Sequence, residues 1–161
     1  MRRGSRCSQG HTAAVTCVEV NKSDSHVASG SMQGQVLVHR LDTGQEVATL
    51  PKLSGKPRKP ITQVLFSPFR SRLLAVASDD QLVRLWDTDK NALALLPSVH
   101  QAPVTGLAFS PINKDLLCSV ALDKRLVFYD VREKRYALPR RDVSNDATTF
   151  TNRDRSFLTA S

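Results

Sequence analysis

Short apolar stretches separated by polar turns recur along the chain at a nearly constant interval. Three of these stretches begin alike, at Val15, Ile61 and Val104, which stand 46 and 43 residues apart. An interval of about 40 to 45 residues is that of a four-stranded propeller blade, once one longer loop is allowed. The stretches are rich in Val, Leu and aromatic residues, and no segment shows a sustained helical stripe. The pattern therefore predicts an all-β chain built from repeated blades.

The second and third copies share an internal register. In each of them a turn aspartate precedes an aromatic residue by six positions, Asp80 before Trp86 and Asp123 before Tyr129. The first copy departs from this register, because His39 stands where the others have their aromatic residue. The copies are therefore related repeats that have diverged at a few positions.

The repeats divide the chain into five segments. They are a basic N-terminal segment (1–10), blade 1 (11–50), blade 2 with a basic loop leading into its first strand (51–96), blade 3 (97–141) and the first two strands of a truncated blade (142–161). Propellers normally have four to eight blades, so about three blades and the start of a fourth predict a partial ring. Two explanations stay open: the chain is a fragment of a longer propeller protein, or several copies assemble to complete a ring.

Basic residues outnumber acidic ones, 23 against 15, for a net charge of +8. Antiparallel strands alternate in direction, so the loop leading into a first strand and the turn between second and third strands lie at one end of a blade. We assign partner binding to the cations predicted at that end, which are Lys52, Lys56, Arg58, Lys59, Lys124 and Arg125. The surplus favours acidic partners such as tubulin tails or acidic protein segments, with nucleic acid less favoured. A simple solvated surface is the alternative.

Cysteine use and apolar segments indicate the compartment. The three cysteines are an odd number without metal-ligand spacing, which is typical of a reducing compartment. The basic start is followed by no apolar segment of a secretory signal, and apolar runs such as 93–96 are too short to span a bilayer. We therefore expect no membrane association and a cytoplasmic or cytoskeletal location.

No group of residues suggests catalysis. The four histidines have no HExxH or CxxC companion, and the chain lacks both a G-x-S-x-G elbow and a phosphate-binding loop. We therefore predict that the protein is not an enzyme and has no catalytic residues, metal site or cofactor.

From about His11 onward, the order of residues within each copy resembles WD40 repeats. In that family a His before the first strand, a Ser or Thr on the second, the turn Asp and a Trp on the third form a buried hydrogen-bonded network, which satisfies each polar group. By position, the resemblance implies network residues His11 and Ser29 in blade 1, Ser78, Asp80 and Trp86 in blade 2, and His100, Ser119, Asp123 and Tyr129 in blade 3. No blade has the full set, so we predict that apolar faces hold each blade more than the network does.

The departures from the WD40 pattern narrow the resemblance. His39 in the aromatic place and the segments 98–103, 109–111, 122–126 and 129–130 together resemble the neural-precursor-expressed, developmentally down-regulated family of WD-repeat factors. Members of that family target the γ-tubulin ring complex to spindle and centrosome. The resemblance implies a non-catalytic scaffold that docks a γ-tubulin ring complex recruiter for microtubule nucleation, with spindle or centrosome components as partners. In that family a separate helical tail binds the γ-tubulin complex, and no segment here resembles that tail. The alternative is a generic WD40 adaptor, either a substrate receptor or an RNA-associated scaffold, that binds an acidic partner.

Overall fold

The computed structural model describes residues 10–51 and 59–137, and every helix-or-strand element within them is a β-strand. The strands are β1 (Val15–Val20), β2 (His26–Ser31), β3 (Val36–Arg40), β4 (Glu46–Thr49), β5 (Ile61–Phe66), β6 (Leu73–Ser78), β7 (Val83–Asp87), β8 (Ala92–Leu95), β9 (Val104–Phe109), β10 (Leu116–Ala121), β11 (Leu126–Asp130) and β12 (Arg135–Ala137). They form three four-stranded sheets, β1–β4, β5–β8 and β9–β12, each antiparallel and in chain order. The prediction of an all-β chain of four-stranded blades is confirmed.

Several predicted features fall outside the described residues. They are the truncated blade 142–161, all of the segment 1–10 except Gly10, and the cations Lys52, Lys56 and Arg58.

The turns between second and third strands repeat the same backbone conformation. One residue in each of these turns has a positive φ, Gly34 at 71°, Gln81 at 71° and Lys124 at 66°. Only glycine adopts this left-handed conformation without steric cost. Blades 2 and 3 keep this turn conformation although Gln81 and Lys124 do not favour it, because packing holds the strands on both sides of the turn.

The three first strands lie side by side, β1 against β5 and β5 against β9. Each carries a bulge at its second residue, which leaves Thr16 and Thr62 without a cross-strand partner. The Thr16 hydroxyl lies 2.5 Å from the carbonyl of Ile61 and 3.1 Å from that of Gly30, and the Thr62 hydroxyl donates to the carbonyl of Val104 at 2.5 Å. The bulges of β1 and β5 thus join blades 1 and 2 to the first strand of the following blade.

Each blade has two faces. We call the face that carries His39, Trp86 or Tyr129 the front face, and the opposite one the rear face. Against the rear face of blade 1 packs the front face of blade 2, in a core of Ala28, Val36, Val38, Leu50, Ile61, Val64, Phe66, Leu74, Val76 and Trp86. The rear face of blade 2 meets the front face of blade 3 in a second core of Ala75, Ala77, Val83, Leu85, Leu96, Val104, Leu107, Leu117, Val127, Tyr129 and Val131. Two seams between blades therefore make up the core of the described residues.

The two ends of the blades differ in their connections. Backbone hydrogen bonds join the segment before each first strand to the turn after each second strand, from Met32 N to Ala14 O at 2.9 Å and from Leu122 N to Pro103 O at 3.1 Å. We call this the leading end. The opposite end holds the corners that join first and second strands, and we call it the corner end.

Candidate partner-binding site

In blade 3, four side chains form a continuous buried polar chain. His100 Nδ1 lies 3.1 Å from Asp123 Oδ2, and His100 Nε2 lies 2.7 Å from Ser119 Oγ. The Asp123 carboxylate also accepts from the N–H groups of Gln101 (2.9 Å) and Arg125 (3.0 Å). Burial acts to raise the pKa of Asp123, but these donors and His100 outweigh it, and the pKa is lowered.

Tyr129 completes this chain in blade 3. Its side chain is 1% exposed, and burial raises the pKa of its hydroxyl, against the hydrogen bond with Ser119. Tyr129 thus stands where the family pattern has Trp and is bonded to the same serine. A tyrosine hydroxyl can bond to Ser119 as well as an indole N–H can, because both project polar atoms from a buried ring.

Blade 2 differs from its predicted network in position. The strand pairing puts Val76 opposite Val64, in the place that Ser119 holds opposite Leu107 in blade 3. Ser78 lies two residues further along the strand, and its hydroxyl donates to the carbonyl of Pro60 at 3.0 Å. The Ser78 hydroxyl also accepts from the N–H of Asp80 at 3.4 Å, so Ser78 contacts the turn aspartate although it does not hold the strand position of Ser119.

Arg84 takes over the role of the missing residues of blade 2. Its buried guanidinium makes a two-point ion pair with the Asp80 carboxylate, with Nη1 3.1 Å from Oδ1. Burial acts to raise the pKa of Asp80, but Arg84 outweighs it, and the pKa is lowered. The Trp86 indole N–H donates to Asn91 Oδ1 at 3.2 Å instead of joining Asp80. A buried carboxylate without histidine needs another partner, and an arginine on the facing strand supplies it.

Of the hydrogen-bonded network seen in blade 3, blade 1 keeps only the contact between histidine and serine. His11 Nε2 lies 2.7 Å from Ser29 Oγ. At the turn, Gln33 replaces the aspartate and accepts from the Thr12 hydroxyl at 3.0 Å. His39 is buried in the aromatic place. The polar side chain at this turn is thus hydrogen-bonded to a different set of partners in each of the three blades.

A further polar cluster in blade 1 was missed at the sequence level. Asn21 Oδ1 accepts from the N–H groups of Ser25 (2.9 Å) and His26 (3.0 Å), and Ser25 Oγ lies 2.8 Å from His26 Nδ1. Asn21 stands 46 residues before Ser67, the same offset as the strand starts, so the repeat spacing could have revealed it.

His26 lies at the seam between blades 1 and 2, among charges of both signs. Burial lowers its pKa, and the positive charges of Arg72 and Arg40 lower it further, against Asp42 and Asp89. The imidazole is therefore held neutral by its surroundings.

The leading end carries exposed cations in the described part of the chain. Lys59, Lys124 and Arg125 are exposed there, and Arg125 Nη1 donates to the carbonyl of Val99 at 3.1 Å. The turn aspartates of the same end, Asp80 and Asp123, are bonded to Arg84 and His100. Their negative charge is directed inward, and the exposed charges at this end among the described residues include Lys59, Lys124 and Arg125, beside a partly exposed Asp79.

Within residues 10–51 and 59–137, no three His, Cys, Asp or Glu side chains gather into a metal-binding group. That same part of the chain contains no helix of the length and apolarity that a membrane span needs.

Removing the Tyr129 hydroxyl tests the hydrogen-bonded network of side chains in blade 3. We expect Tyr129→Phe to lower the free energy of unfolding by about 0.5–1.5 kcal/mol, because Ser119 loses one buried hydrogen bond while the ring still fills its place. Urea unfolding followed by circular dichroism measures the change. Tyr136→Phe, on an exposed ring, is the matched control and should change stability little. Equal effects of the two substitutions would show that the hydroxyl has no buried role.

Protonation of His26 should destabilise the fold. Because its folded pKa is lowered, the unfolded chain binds the proton better, and stability should be lost as the pH falls through the ordinary histidine value of 6.5. His11, whose pKa burial also lowers, acts in the same direction. We expect His26→Asn to reduce the loss of stability between pH 7 and pH 5 without abolishing it. An unchanged loss in this variant would mean that His26 does not titrate at the seam.

Comparisons with known proteins agree with this geometry. The family described as WD domain, G-beta repeat (WD40) matches residues 4–40 and 44–87. Protein NEDD1 of Homo sapiens is 34% identical over 135 residues, which cover 83% of this chain and 20% of that protein. Protein NEDD1 of Mus musculus is 36% identical over the same coverage. The chain thus spans about a fifth of the length of the curated relatives it matches.

A solved structure extends the comparison to the fold. The crystal structure of RRP9 WD40 repeats superposes with a TM-score of 0.73 at 21% identity, over 80% of this chain and 39% of that one. At this identity the likeness shows the fold alone. Since the family match covers half of the chain and the blades superpose on a known propeller, the chain belongs to the WD40-repeat family.

Proposed function

We propose that this chain is the docking part of a non-catalytic scaffold that brings a recruiter of the γ-tubulin ring complex to spindle or centrosome for microtubule nucleation. The observation that carries the proposal is the 34% identity with human Protein NEDD1, which runs through 83% of the chain. The sequence features that resemble the γ-tubulin-targeting WD-repeat family lie in these same blades. The location that follows is cytoplasmic, on the cytoskeleton.

The leading end is the docking surface in this proposal. Its turns are fixed by backbone hydrogen bonds to the segments before the first strands, so the exposed cations are presented by a rigid scaffold. The binding residues are Lys59, Lys124 and Arg125, together with Lys52, Lys56 and Arg58 in the loop leading into blade 2. Such a surface attracts a spindle or centrosome component with an acidic face, and its attraction is screened by salt.

The γ-tubulin complex itself is not the proposed partner of the described blades. In the resembled family a helical tail makes that contact, and the described residues contain no helix. In this proposal the blades dock on the spindle or centrosome, and γ-tubulin is bound outside the described blades.

A generic WD40 adaptor is the second candidate function. Its support is the net charge of +8 on a fold that serves many partners, among them substrate receptors and RNA-associated scaffolds. An RNA partner would be bound by the same cations but would not concentrate the chain at spindle poles.

Reversing the described cations of the leading end tests the proposal. We expect Lys59→Glu, Lys124→Glu and Arg125→Glu together to reduce enrichment of the tagged chain on spindle poles in mitotic extract by roughly tenfold, the equivalent of about 1.4 kcal/mol of binding. The residues are exposed, so the fold should persist, as circular dichroism can show.

The matched control reverses three exposed lysines elsewhere, Lys22, Lys90 and Lys134. The net charge changes equally in both variants, so a loss confined to the first set assigns docking to the leading end. If both variants lost enrichment on spindle poles equally, the loss would be an effect of net charge alone. Undiminished enrichment of the first variant would refute docking through this end. Enrichment on added RNA without enrichment on spindle poles would favour the adaptor.

A further inference from the structure

The turns between second and third strands lie at the leading end, and their exposed side chains differ from blade to blade. The residue just before the polar turn residue is Met32 in blade 1, Asp79 in blade 2 and Leu122 in blade 3. Leu122 is 66% exposed and Met32 is 51% exposed. A single exposed apolar residue is common on protein surfaces, so exposure alone assigns no role to either of them.

The neighbours of Leu122 distinguish it from the equivalent residues of the other blades. Lys124 and Arg125 follow it within the same turn, whereas the turn of blade 1 continues with the uncharged residues 33–35. In blade 2 the equivalent residue, Asp79, carries a negative charge. Among the three described turns, only that of blade 3 therefore exposes an apolar side chain beside cations. We call Leu122, Lys124 and Arg125 the blade 3 turn site.

Both cations of this site are available to a partner. Within the described part of the chain, neither Lys124 nor Arg125 is in a salt bridge. The Arg125 guanidinium donates through Nη1 to the carbonyl of Val99 at 3.1 Å, which orients it and leaves its other edge for a ligand. The side chain of Asp123, the acidic residue of the same turn, is only 7% exposed and is bonded to His100. The positive charge of this turn is thus unpaired among the described residues.

The backbone of the turn is fixed on both sides of Leu122. The Leu122 N–H donates to the carbonyl of Pro103 at 3.1 Å, and the Asp123 carboxylate accepts from the Arg125 N–H at 3.0 Å. The site is therefore held in one conformation before any partner binds. Binding to a preformed turn loses less conformational entropy than binding to a loop that must first be ordered.

Blade 2 shows that folding does not require an apolar residue at this position. Asp79 occupies it there, and its N–H donates to the carbonyl of Pro60 at 2.9 Å, as that of Leu122 does to Pro103. A polar side chain is thus compatible with the same turn. The presence of leucine in blade 3 has no explanation in the backbone of the turn.

Building on the proposed docking at the leading end, we propose that the blade 3 turn site binds a short acidic segment of the partner protein. One large apolar side chain of the segment packs on Leu122, and carboxylates beside it pair with Lys124 and Arg125. Carboxylates suit this place because a guanidinium binds them through two parallel hydrogen bonds, and a charged rim keeps water from the apolar contact. Leu122 then determines specificity, since Asp79 at the equivalent place of blade 2 repels the same segment.

The residues of the site favour an acidic peptide over other occupants. Single-stranded nucleic acid is bound by stacking its bases on aromatic rings, and the exposed aromatic residues of the described chain, Phe69 and Tyr136, lie outside this turn. A second copy that met the same site across a twofold axis would place Lys124 and Arg125 against themselves, and the two copies would repel each other.

The apolar contact is tested with the full chain and a labelled peptide in which one central Leu is flanked on both sides by Glu and Asp. We expect Leu122→Ser to weaken peptide binding, read by fluorescence anisotropy, by about fivefold or more. Met32→Ser is the matched control, because it removes an exposed apolar side chain from a turn without cations, and it should leave binding within about twofold. Circular dichroism verifies that both variants fold.

The charged contacts are tested with the same peptide. Lys124→Gln with Arg125→Gln should weaken binding by about tenfold and reduce its dependence on salt, since the attraction between exposed charges is screened. Lys22→Gln with Lys90→Gln removes two exposed cations elsewhere and is the control. A peptide with Lys in place of Glu and Asp should not bind. Equal binding of the original peptide by the wild type and by Leu122→Ser would overturn the inference, as would tighter binding of a single-stranded RNA oligonucleotide.

Enrichment on spindle poles in mitotic extract separates this inference from the proposed function. Leu122→Ser should lower the enrichment of the tagged chain by about fivefold, whereas Met32→Ser should not. If the triple charge reversal at Lys59, Lys124 and Arg125 loses enrichment while Leu122→Ser keeps it, docking through the leading end stands and the inference is wrong. If neither variant loses enrichment, docking through the leading end is itself refuted.

Discussion

The requirement that both faces of a blade be buried governs this structure. A four-stranded sheet with apolar residues on both faces is stable only when each face packs against another layer. Here the rear face of one blade meets the front face of the next, so the position that carries Trp86 in blade 2 and Tyr129 in blade 3 is buried by the preceding blade. The bulged threonines of β1 and β5 fix the spacing of these layers, because their hydroxyls donate to the first strand of the following blade.

Burial of the turn aspartate is a second constraint, and it follows from the first. A carboxylate near a seam must be hydrogen-bonded or paired. Blade 3 meets the need with His100, blade 2 with Arg84, and blade 1 avoids it by placing Gln33 at the turn. These solutions direct negative charge inward at the leading end. The internal chemistry of the blades thus shapes the surface that we propose for docking.

The sequence allows the strands and their order to be predicted, because the repeat interval and the apolar pattern are both regular. It also brings His100, Ser119 and Asp123 into one proposed group, which the structure places within hydrogen-bond distance. Ser78 bonds to the N–H of Asp80, whereas the strand position that Ser119 holds in blade 3, four residues before the turn aspartate, is occupied in blade 2 by Val76. The partner of Asp80 could not be predicted in this way, because contact with Arg84 depends on side-chain direction across a hairpin.

A double-mutant cycle across the first seam tests the account most directly. Val38 lies on the rear face of blade 1 and Trp86 on the front face of blade 2, within one core. We predict that Val38→Ala and Trp86→Leu are coupled by about 0.5–3 kcal/mol in their effect on unfolding free energy, as side chains in one packed layer are. Val38→Ala combined with Leu117→Ala, which lies in the other seam, should be additive within about 0.5 kcal/mol. Additivity of the Val38 and Trp86 substitutions would contradict the stacking of rear face on front face.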